Sequence, residues 1–129
     1  MLTERQRLGV RGEAIAGHWL EAHGWEILDR RFRSGHRDLD LVAARAESGG
    51  GRMVAFVEVR TRISLDLGTP AETVQWRKQQ QLARSARAWI GLNRRSGDNY
   101  RFDVLGVLVE GERTRIQYVP DAFWLRSFG

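Results

Sequence analysis

The hydrophobic and polar positions of this chain fall into seven blocks, two with helical spacing and five with the short apolar runs typical of strands. The predicted order is a helix over residues 4–23, strands over 25–32, 38–44 and 53–60, a second helix from residue 70 to about residue 92, and strands over 100–109 and 114–119. This order predicts one α/β (α+β) domain over residues 1–129, with a central mixed sheet flanked by helices.

Local signals mark the start of both predicted helices. Thr3 and Gln6 form a capping box for the first helix, and Gly24 suits the left-handed position that follows a helix end. In the second helix, Thr69-Pro70-Ala71-Glu72 combines a capping Thr, a Pro at the first helical position and a Glu at the third. The apolar stripe of the first helix consists of Leu8, Ile15, Ala16, Trp19 and Leu20.

The second helix has two distinct faces. Its core stripe, with a lysine at the head, consists of Lys78, Leu82, Ala86 and Trp89. A basic ridge on another face consists of Arg77, Gln80, Arg84 and Arg87. Because the ridge has no acidic partners one turn further on, helix-stabilising ion pairs explain it poorly. Phosphate contact is therefore preferred over a plain solvated face.

The strands over 38–44 and 53–60 read as an antiparallel hairpin, since the linker between them ends in Ser48-Gly49-Gly50-Gly51. A turn centred on Gly49 places Asp40 opposite Glu58, and Asp38 opposite Arg60. All four side chains then project to one face, unless the register slips by one residue.

Three carboxylates and only one guanidinium in so small an area leave an excess of negative charge that must be compensated. Directly opposed carboxylates repel each other unless a cation lies between them. Hard oxygen ligands suit Mg²⁺ or Mn²⁺, so the pattern predicts either a metal ion or a bound arginine between Asp40 and Glu58.

The charge of the chain favours a polyanionic partner. Its 129 residues contain 21 Lys and Arg against 16 Asp and Glu, a formal net charge of +5, and nearly all the cations are arginine. Arginine matches phosphate through a bidentate fork, which favours nucleic acid. The alternative is an arginine-rich but otherwise ordinary surface.

A second group of arginines comes directly before the acidic hairpin. Arg30, Arg31 and Arg33 either hold a phosphate beside the metal or merely balance the acids. His36 is interpreted as a surface residue. Arg101 and Asp103 share a strand face and are expected to form a structural ion pair, Asp103 having a lesser claim to a supporting role at the site.

The cysteine content and the apolar segments of the chain indicate where in the cell the protein is expected. The chain has no cysteine, its first residues lack the apolar core of a signal peptide, and no apolar run is long enough to span a bilayer. We therefore expect a soluble cytoplasmic protein without a membrane partner.

Several of these residues resemble motifs of known proteins. Asp40 followed by Glu58-Val59-Arg60 resembles the Asp…Glu-x-Lys signature of restriction-endonuclease-like nucleases, with arginine in place of lysine. Over nearly its full length the chain resembles the YraN family of small bacterial proteins. The matching segments are Leu8-Gly9-Val10-Arg11-Gly12-Glu13, Asp38-Leu39-Asp40-Leu41, Phe56-Val57-Glu58-Val59-Arg60, Leu67-Gly68-Thr69-Pro70, Lys78 and Arg101-Phe102-Asp103-Val104.

The resemblance implies a restriction-endonuclease-like (Holliday junction resolvase-like) fold and a metal-dependent site. Asp40 and Glu58 would bind Mg²⁺ or Mn²⁺, and Glu13 would complete the site, unless Glu13 is a solvated carboxylate paired with an arginine. Arg60 would be the further catalytic residue, although a guanidinium cannot act as a base and Asp38 is placed to neutralise it. Lys78 is then a candidate to supply an ammonium from another element.

Functions from different classes remain open. The first is a nuclease that hydrolyses phosphodiester bonds in DNA, including branched DNA, or in RNA. The second is a nucleic-acid-binding module of the same fold, without turnover because Arg60 replaces lysine. A weaker third is a scaffold that binds only a protein partner. DNA is preferred to RNA as the partner, and a homodimer is an option because such nucleases often dimerise to cut both strands.

Overall fold

In the computed structural model, which describes residues 1–35, 37–63 and 74–123, the elements follow the predicted kinds and order. They are α1 (Glu4–Ala22), β1 (Glu26–Ser34), β2 (Arg37–Ala46), β3 (Arg52–Arg62), α2 (Trp76–Asn93), β4 (Asp98–Glu110) and β5 (Arg113–Phe123). His36 and Thr69-Pro70-Ala71-Glu72 lie outside the described residues, so the expectations for them are not tested.

The strands lie side by side in chain order. Within the described ranges they form one sheet of order β1-β2-β3-β4-β5. Neighbouring strands are antiparallel except β3 and β4, which are parallel and connected through α2. One helix packs on each face of the sheet. This mixed sheet flanked by helices confirms the predicted α+β class and is consistent with a restriction-endonuclease-like fold.

The hairpin register agrees with the prediction from its glycine-rich turn. Arg45 pairs with Met53 and Leu41 pairs with Val57, which is the register centred on Gly49. Gly50 and Gly51 adopt φ values of 90° and 76°, a region that favours glycine and lets the chain reverse here. The register predicted from the turn is therefore confirmed as far as Leu41 and Val57, where the described ladder ends.

The sheet separates two hydrophobic clusters, because successive side chains of a strand point to opposite faces. On the α2 face, Phe56 and Phe102 pack against Leu82, Ala86 and Trp89, which are the apolar members of the predicted stripe. On the α1 face the buried residues include Ala16, Leu20, Leu41, Val57 and Leu105, with Leu8, Ile15 and Trp19 packed beside them. The predicted core stripes of both helices are thus confirmed.

The two helices differ in how well their starts were predicted. Thr3 and Gln6 form the complete capping box of α1. In contrast, α2 begins at Trp76, after Gln75, an extended N-cap whose side chain makes no capping hydrogen bond among the described residues, while the start predicted at residue 70 lies outside them. Neither helix, nor any other described part of the chain, carries an apolar helical stretch long enough to cross a bilayer.

The last strand also departs from the prediction, which ended it at residue 119 because proline cannot donate a ladder hydrogen bond. Instead β5 continues through Pro120 to Phe123. Its pairing with β4 is irregular at this point, and Asp121 has a φ of 51°. Proline is tolerated at a bulge of an edge strand, where the ladder of hydrogen bonds is locally interrupted.

A buried acid holds this bulge in place. Asp103 is fully buried and accepts a hydrogen bond from the backbone N–H of Asp121, with an N to Oδ1 distance of 2.9 Å. Arg101 donates to the same carboxylate from 2.9 Å, and the Tyr118 hydroxyl donates to its other oxygen. These bonds confirm the predicted ion pair and agree with its structural interpretation.

Two glycines one turn apart on α1 have different surroundings. The side chain of Thr61 on β3 lies against Gly12, where an added methyl group would overlap it. At Gly9 a methyl group would meet nothing in the described chain within 4 Å. The lack of a side chain at Gly12 therefore permits the close approach of α1 to β3, whereas Gly9 takes no part in this contact.

Matched substitutions at these glycines are expected to have opposite effects. Gly12→Ala should lower the free energy of unfolding by about 1–3 kcal/mol, because the methyl group overpacks against Thr61. Gly9→Ala should raise it by up to about 1 kcal/mol, since alanine is the better helix former at an open position. Urea denaturation of both variants measures the difference. Equal effects would contradict the assigned contact.

Candidate functional site

The acidic pair lies where β2 and β3 cease to pair regularly. Their described ladder ends at Leu41 and Val57, although both strands continue. Beyond this point the Asp40 carboxylate accepts a hydrogen bond from the backbone N–H of Val59, with an N to Oδ2 distance of 2.8 Å. A side chain thus replaces a ladder carbonyl, and the Asp40 and Glu58 carboxylates come into contact in the gap.

Burial and repulsion change the protonation of this pair. Burial, followed by the neighbouring charge of Glu58, raises the pKa of Asp40 to about 8, against smaller opposing effects of the Val59 N–H and Lys78. Glu58 itself is only 5% exposed. Two ionised carboxylates can only accept hydrogen bonds, so they bond to each other only when one is protonated. The pair therefore holds a proton near neutral pH unless another cation compensates its charge.

Two side-chain cations approach one oxygen of Glu58. Arg60 Nη2 lies 3.2 Å from Glu58 Oε2, and Lys78 Nζ on α2 lies 3.7 Å from the same atom. The other oxygen, Oε1, is buried and has no hydrogen-bond partner in the described part of the chain. Lys78 is the only lysine in the sequence, and the structure places it at the acidic pair, where an ammonium from another element was anticipated.

The predicted neutralisation of Arg60 by Asp38 is wrong. Within the described residues Asp38 pairs with Arg33 of the neighbouring strand, with 3.2 Å between Nε and Oδ1. Arg60 instead turns to Glu58 on its own strand. Asp38 is half-buried and opposite Arg33 in the β1–β2 ladder, so the nearer cation satisfies it first. Arg60 is left to act at the acidic pair.

Glu13 lies beside the pair but is held by an arginine. Its Oε2 is 2.8 Å from Arg31 Nε, which is the pairing that the alternative interpretation expected. Burial raises the pKa of Glu13, partly offset by this hydrogen bond, and the charge of Asp40 raises it further. Among residues 1–35, 37–63 and 74–123, no three Asp, Glu or His side chains converge enough to surround one ion.

The partner of Glu13 has an unusual backbone. Arg31 is a non-glycine residue with a φ of 50°, a left-handed conformation that costs roughly 1–2 kcal/mol. It lies between Arg30 and Phe32, both of which keep their pairing with β2. The distortion therefore affects one residue and turns its guanidinium toward α1. Strain of this kind is concentrated at functional sites.

Two cavities adjoin the pair between α1 and the sheet, with volumes of about 260 and 300 Å³. Glu13 and Asp40 line both of them. The larger one is also lined by Arg5, Arg60 and Arg62. Sequence reasoning overlooked Arg5 and Arg62. The alternation Arg60-Thr61-Arg62 would have revealed the second, since strand residues two apart share a face.

The predicted phosphate-binding residues divide into three groups. Arg30, Arg31 and Arg33 pair with Glu21, Glu13 and Asp38 respectively, which agrees with the interpretation that they balance acids. Arg77, Arg84 and Arg87 are exposed along α2, as the predicted ridge requires. Lys78 belongs to neither group, because its ammonium reaches Glu58. The ridge and the acidic pair are therefore brought together by one helix.

Comparison with known proteins follows the same segments. A model of the family described as "Uncharacterised protein family UPF0102" matches residues 12–107, a range that contains Glu13, Asp40, Glu58 and Lys78. A UPF0102 protein of Trichlorobacter lovleyi is 41% identical over 119 residues, which are 92% of this chain and 91% of the relative. A UPF0102 protein of Rhodococcus opacus is 39% identical over 90% of this chain and 95% of the relative. A UPF0102 protein of Geobacter metallireducens is 35% identical over 97% of this chain and 98% of the relative.

The family match extends from α1 through β4, and these relatives align with the chain over nearly their whole length. The chain therefore belongs to the UPF0102 family, which is the YraN family that its motifs resemble.

Proposed function

We propose that this protein is a metal-dependent nuclease that hydrolyses phosphodiester bonds in DNA, including branched DNA, or in RNA. The observation that carries the proposal is the contact between Asp40 and Glu58, in which one buried oxygen has no hydrogen-bond partner among the described residues. Keeping two acids together away from water is costly unless a cation compensates them. Such perturbed pairs are typical of sites that do chemistry.

Mg²⁺ or Mn²⁺ suits this pair of acids. Both ions prefer oxygen ligands, and Mg²⁺ commonly uses only one or two carboxylates while retaining several waters. Asp40 and Glu58 would hold the ion, since Oε1 of Glu58 has no hydrogen-bond partner within the described ranges. Glu13, once released by Arg31, is the nearby carboxylate that would complete or orient the site. When bound, the ion polarises the scissile phosphate and makes water more acidic.

The cations of the chain provide the complementary charges. Arg60 contacts Glu58, and its guanidinium can stabilise negative charge on the phosphate but cannot act as a base. Lys78 reaches the same carboxylate from α2 and places an ammonium group there. Lys78 would thus take the role that lysine has in the resembled Glu-x-Lys signature, and Arg60 would keep only the electrostatic part.

The surface of α2 supports a nucleic-acid substrate. Arg77, Arg84 and Arg87 are exposed on the helix whose first turn carries Lys78. A phosphate backbone that follows this ridge is led toward the acidic pair. The formal net charge of +5 favours the same class of partner through counterion release.

Cleavage assays with purified protein test the proposal. Branched and linear DNA and a matched RNA are incubated with Mg²⁺, Mn²⁺ or EDTA, with Asp40→Ala as the control. Metal-dependent cleavage that disappears in EDTA and in the control is the expected result. Cleavage by the Asp40→Ala protein at the wild-type rate would instead point to a contaminating nuclease and would count against the site.

A second candidate function, a nucleic-acid-binding module without turnover, is favoured by the charges around Glu58. Arg60 and Lys78 both approach its Oε2. These two cations therefore already neutralise part of the negative charge that a metal ion would neutralise. This module would bind DNA with a strong salt dependence and leave every substrate intact with either metal. Arg60→Lys would not restore cleavage in that case.

A further inference from the structure

A cavity of about 190 Å³ lies on β3, β4 and β5, beside the acidic pair but distinct from it. Its described lining includes three arginines, Arg60, Arg62 and Arg115, together with Gly106 and Gln117. Asp40, Glu58 and Glu13 do not belong to that lining. The cavity therefore gathers cations at a place whose described lining lacks the carboxylates that would hold a metal.

The strand register explains why these side chains meet. Arg60 of β3 pairs with Gly106 of β4, and Gly106 pairs with Gln117 of β5. One step further along, Arg62 and Arg115 flank the same residue of β4 in the same way. Because strand positions two apart share a face, both rows project to one side of the sheet. Gly106, which has no side chain, lies between Arg60 and Gln117 in this row and lines the cavity.

The hydrogen-bonding state of the arginines indicates what the cavity can bind. The Nε atoms of Arg60 and Arg62 are buried, and neither has a hydrogen-bond partner among the described residues. Buried donors without partners are costly, and a bound acceptor would satisfy them. Arg115 pairs with Glu110 only at 3.9 Å and with both side chains about half exposed or more, a contact that water screens. Its guanidinium is therefore available to a ligand.

We infer that the Arg60, Arg62 and Arg115 cavity binds a phosphate group of a nucleic-acid strand and so anchors the strand beside the acidic pair. Several guanidinium forks around one small cavity match the oxygens of a phosphate. Arg60 connects the acidic pair to the cavity, because its Nη2 contacts Glu58 while its Nε has no hydrogen-bond partner among the described residues. The anchor requires no metal; only the identity of the strand as the substrate rests on the proposed function.

Binding in EDTA tests the anchor without any cleavage. Fluorescence anisotropy of a single-stranded oligonucleotide compares the wild type with Arg62→Gln, Arg115→Gln and Arg113→Gln. The last is the matched control, since Arg113 is exposed on the same strand and lies outside the cavity lining. Arg62→Gln should raise the Kd at least about tenfold relative to the wild type. The Kd of Arg115→Gln should be about threefold higher than that of Arg113→Gln. Arg62→Gln should also lower the salt-dependence slope by about one.

Two further arms define the source of the phosphate. Inorganic phosphate should compete with the oligonucleotide for the wild type but only weakly for Arg62→Gln. Stronger binding of a 5′-phosphorylated strand than of its 5′-hydroxyl counterpart assigns the cavity to a terminal phosphate, and equal binding assigns it to a backbone diester. Because Arg115 is on an exposed edge, its substitution remains informative if Arg62→Gln fails to fold.

Two outcomes would overturn the inference. One is an equal loss for Arg113→Gln and Arg115→Gln, which would reduce the effect to net charge. The other is wild-type affinity in both cavity variants. Either result is separable from failure of the nuclease proposal, since a protein that never cleaves still shows the anchor in EDTA, and an active nuclease still cleaves without it.

Discussion

Glu58→Gln is expected to lower the rate of metal-dependent cleavage at least about 1,000-fold. The substitution keeps the volume of the side chain but removes the charge that would hold the ion next to Asp40. Metal assistance contributes several kcal/mol to transition-state stabilisation, and each 1.4 kcal/mol or so corresponds to a factor of ten. Single-turnover cleavage with saturating protein measures the chemical step separately from product release.

Matched acids make this result specific. Asp40→Asn should cost as much as Glu58→Gln, since both acids contribute to one ion. Glu13→Gln should cost about 10- to 100-fold, because Glu13 lies beside the pair and bonds to Arg31. Asp38→Asn is the control on the same strand and should change the rate less than about threefold, as its partner is Arg33. A Glu58→Gln protein as active as Asp38→Asn would exclude the acidic pair as the catalytic centre.

The free energy of unfolding of the metal-free protein is expected to fall by a few kcal/mol as pH rises from about 4 to about 8. The Asp40 carboxyl has a pKa near 3.9 when unfolded and about 8 when folded. Between these values the folded state binds more protons than the unfolded state, so stability decreases with rising pH. The stabilisation by the bound proton is complete at pH values below the pKa of Asp40 in the unfolded chain. It is lost as pH rises through the pKa of Asp40 in the folded protein. The raised pKa of Glu13 acts in the same direction.

Asp40→Asn separates this effect from other titrations. Asparagine can still accept the Val59 N–H through its side-chain oxygen and can donate to Glu58, so it imitates the protonated acid. The variant should lose most of the pH slope in urea denaturation between pH 4 and about pH 8. An unchanged slope would show that another group is responsible.

Mg²⁺ should change the same curve. A metal competes with the proton for the carboxylates, so its stabilising effect should increase as pH rises toward the pKa of Asp40. Thermal unfolding with and without Mg²⁺ at pH 6 and pH 8 measures this coupling. Asp40→Asn should show little metal stabilisation at either pH. Equal stabilisation of both proteins would mean that the ion binds elsewhere.

Much of the fold follows from interactions between residues close in sequence. The Thr3 and Gln6 capping box and the register around Gly49 are set by a few neighbouring residues, and both were predicted correctly. The failures occur where the tertiary surroundings matter more. Pro120 remains in a strand because β5 is an edge and Asp103 holds the bulge after it. Among the described residues, Gln75 precedes α2 without a side-chain capping hydrogen bond, so no local signal marks the start at Trp76.

The sequence by itself determined the register of the hairpin as far as Leu41 and Val57, because a glycine turn relates positions within one hairpin. It also determined that Lys78 heads the inner face of its helix. Only the tertiary structure decided that this helix brings Lys78 to Glu58 and that Arg31 forms a salt bridge with Glu13. It also decided that Arg115 and Arg62 line the same cavity. These contacts join elements far apart in sequence, whose relative positions depend on the packing of both helices against the sheet and not on local spacing.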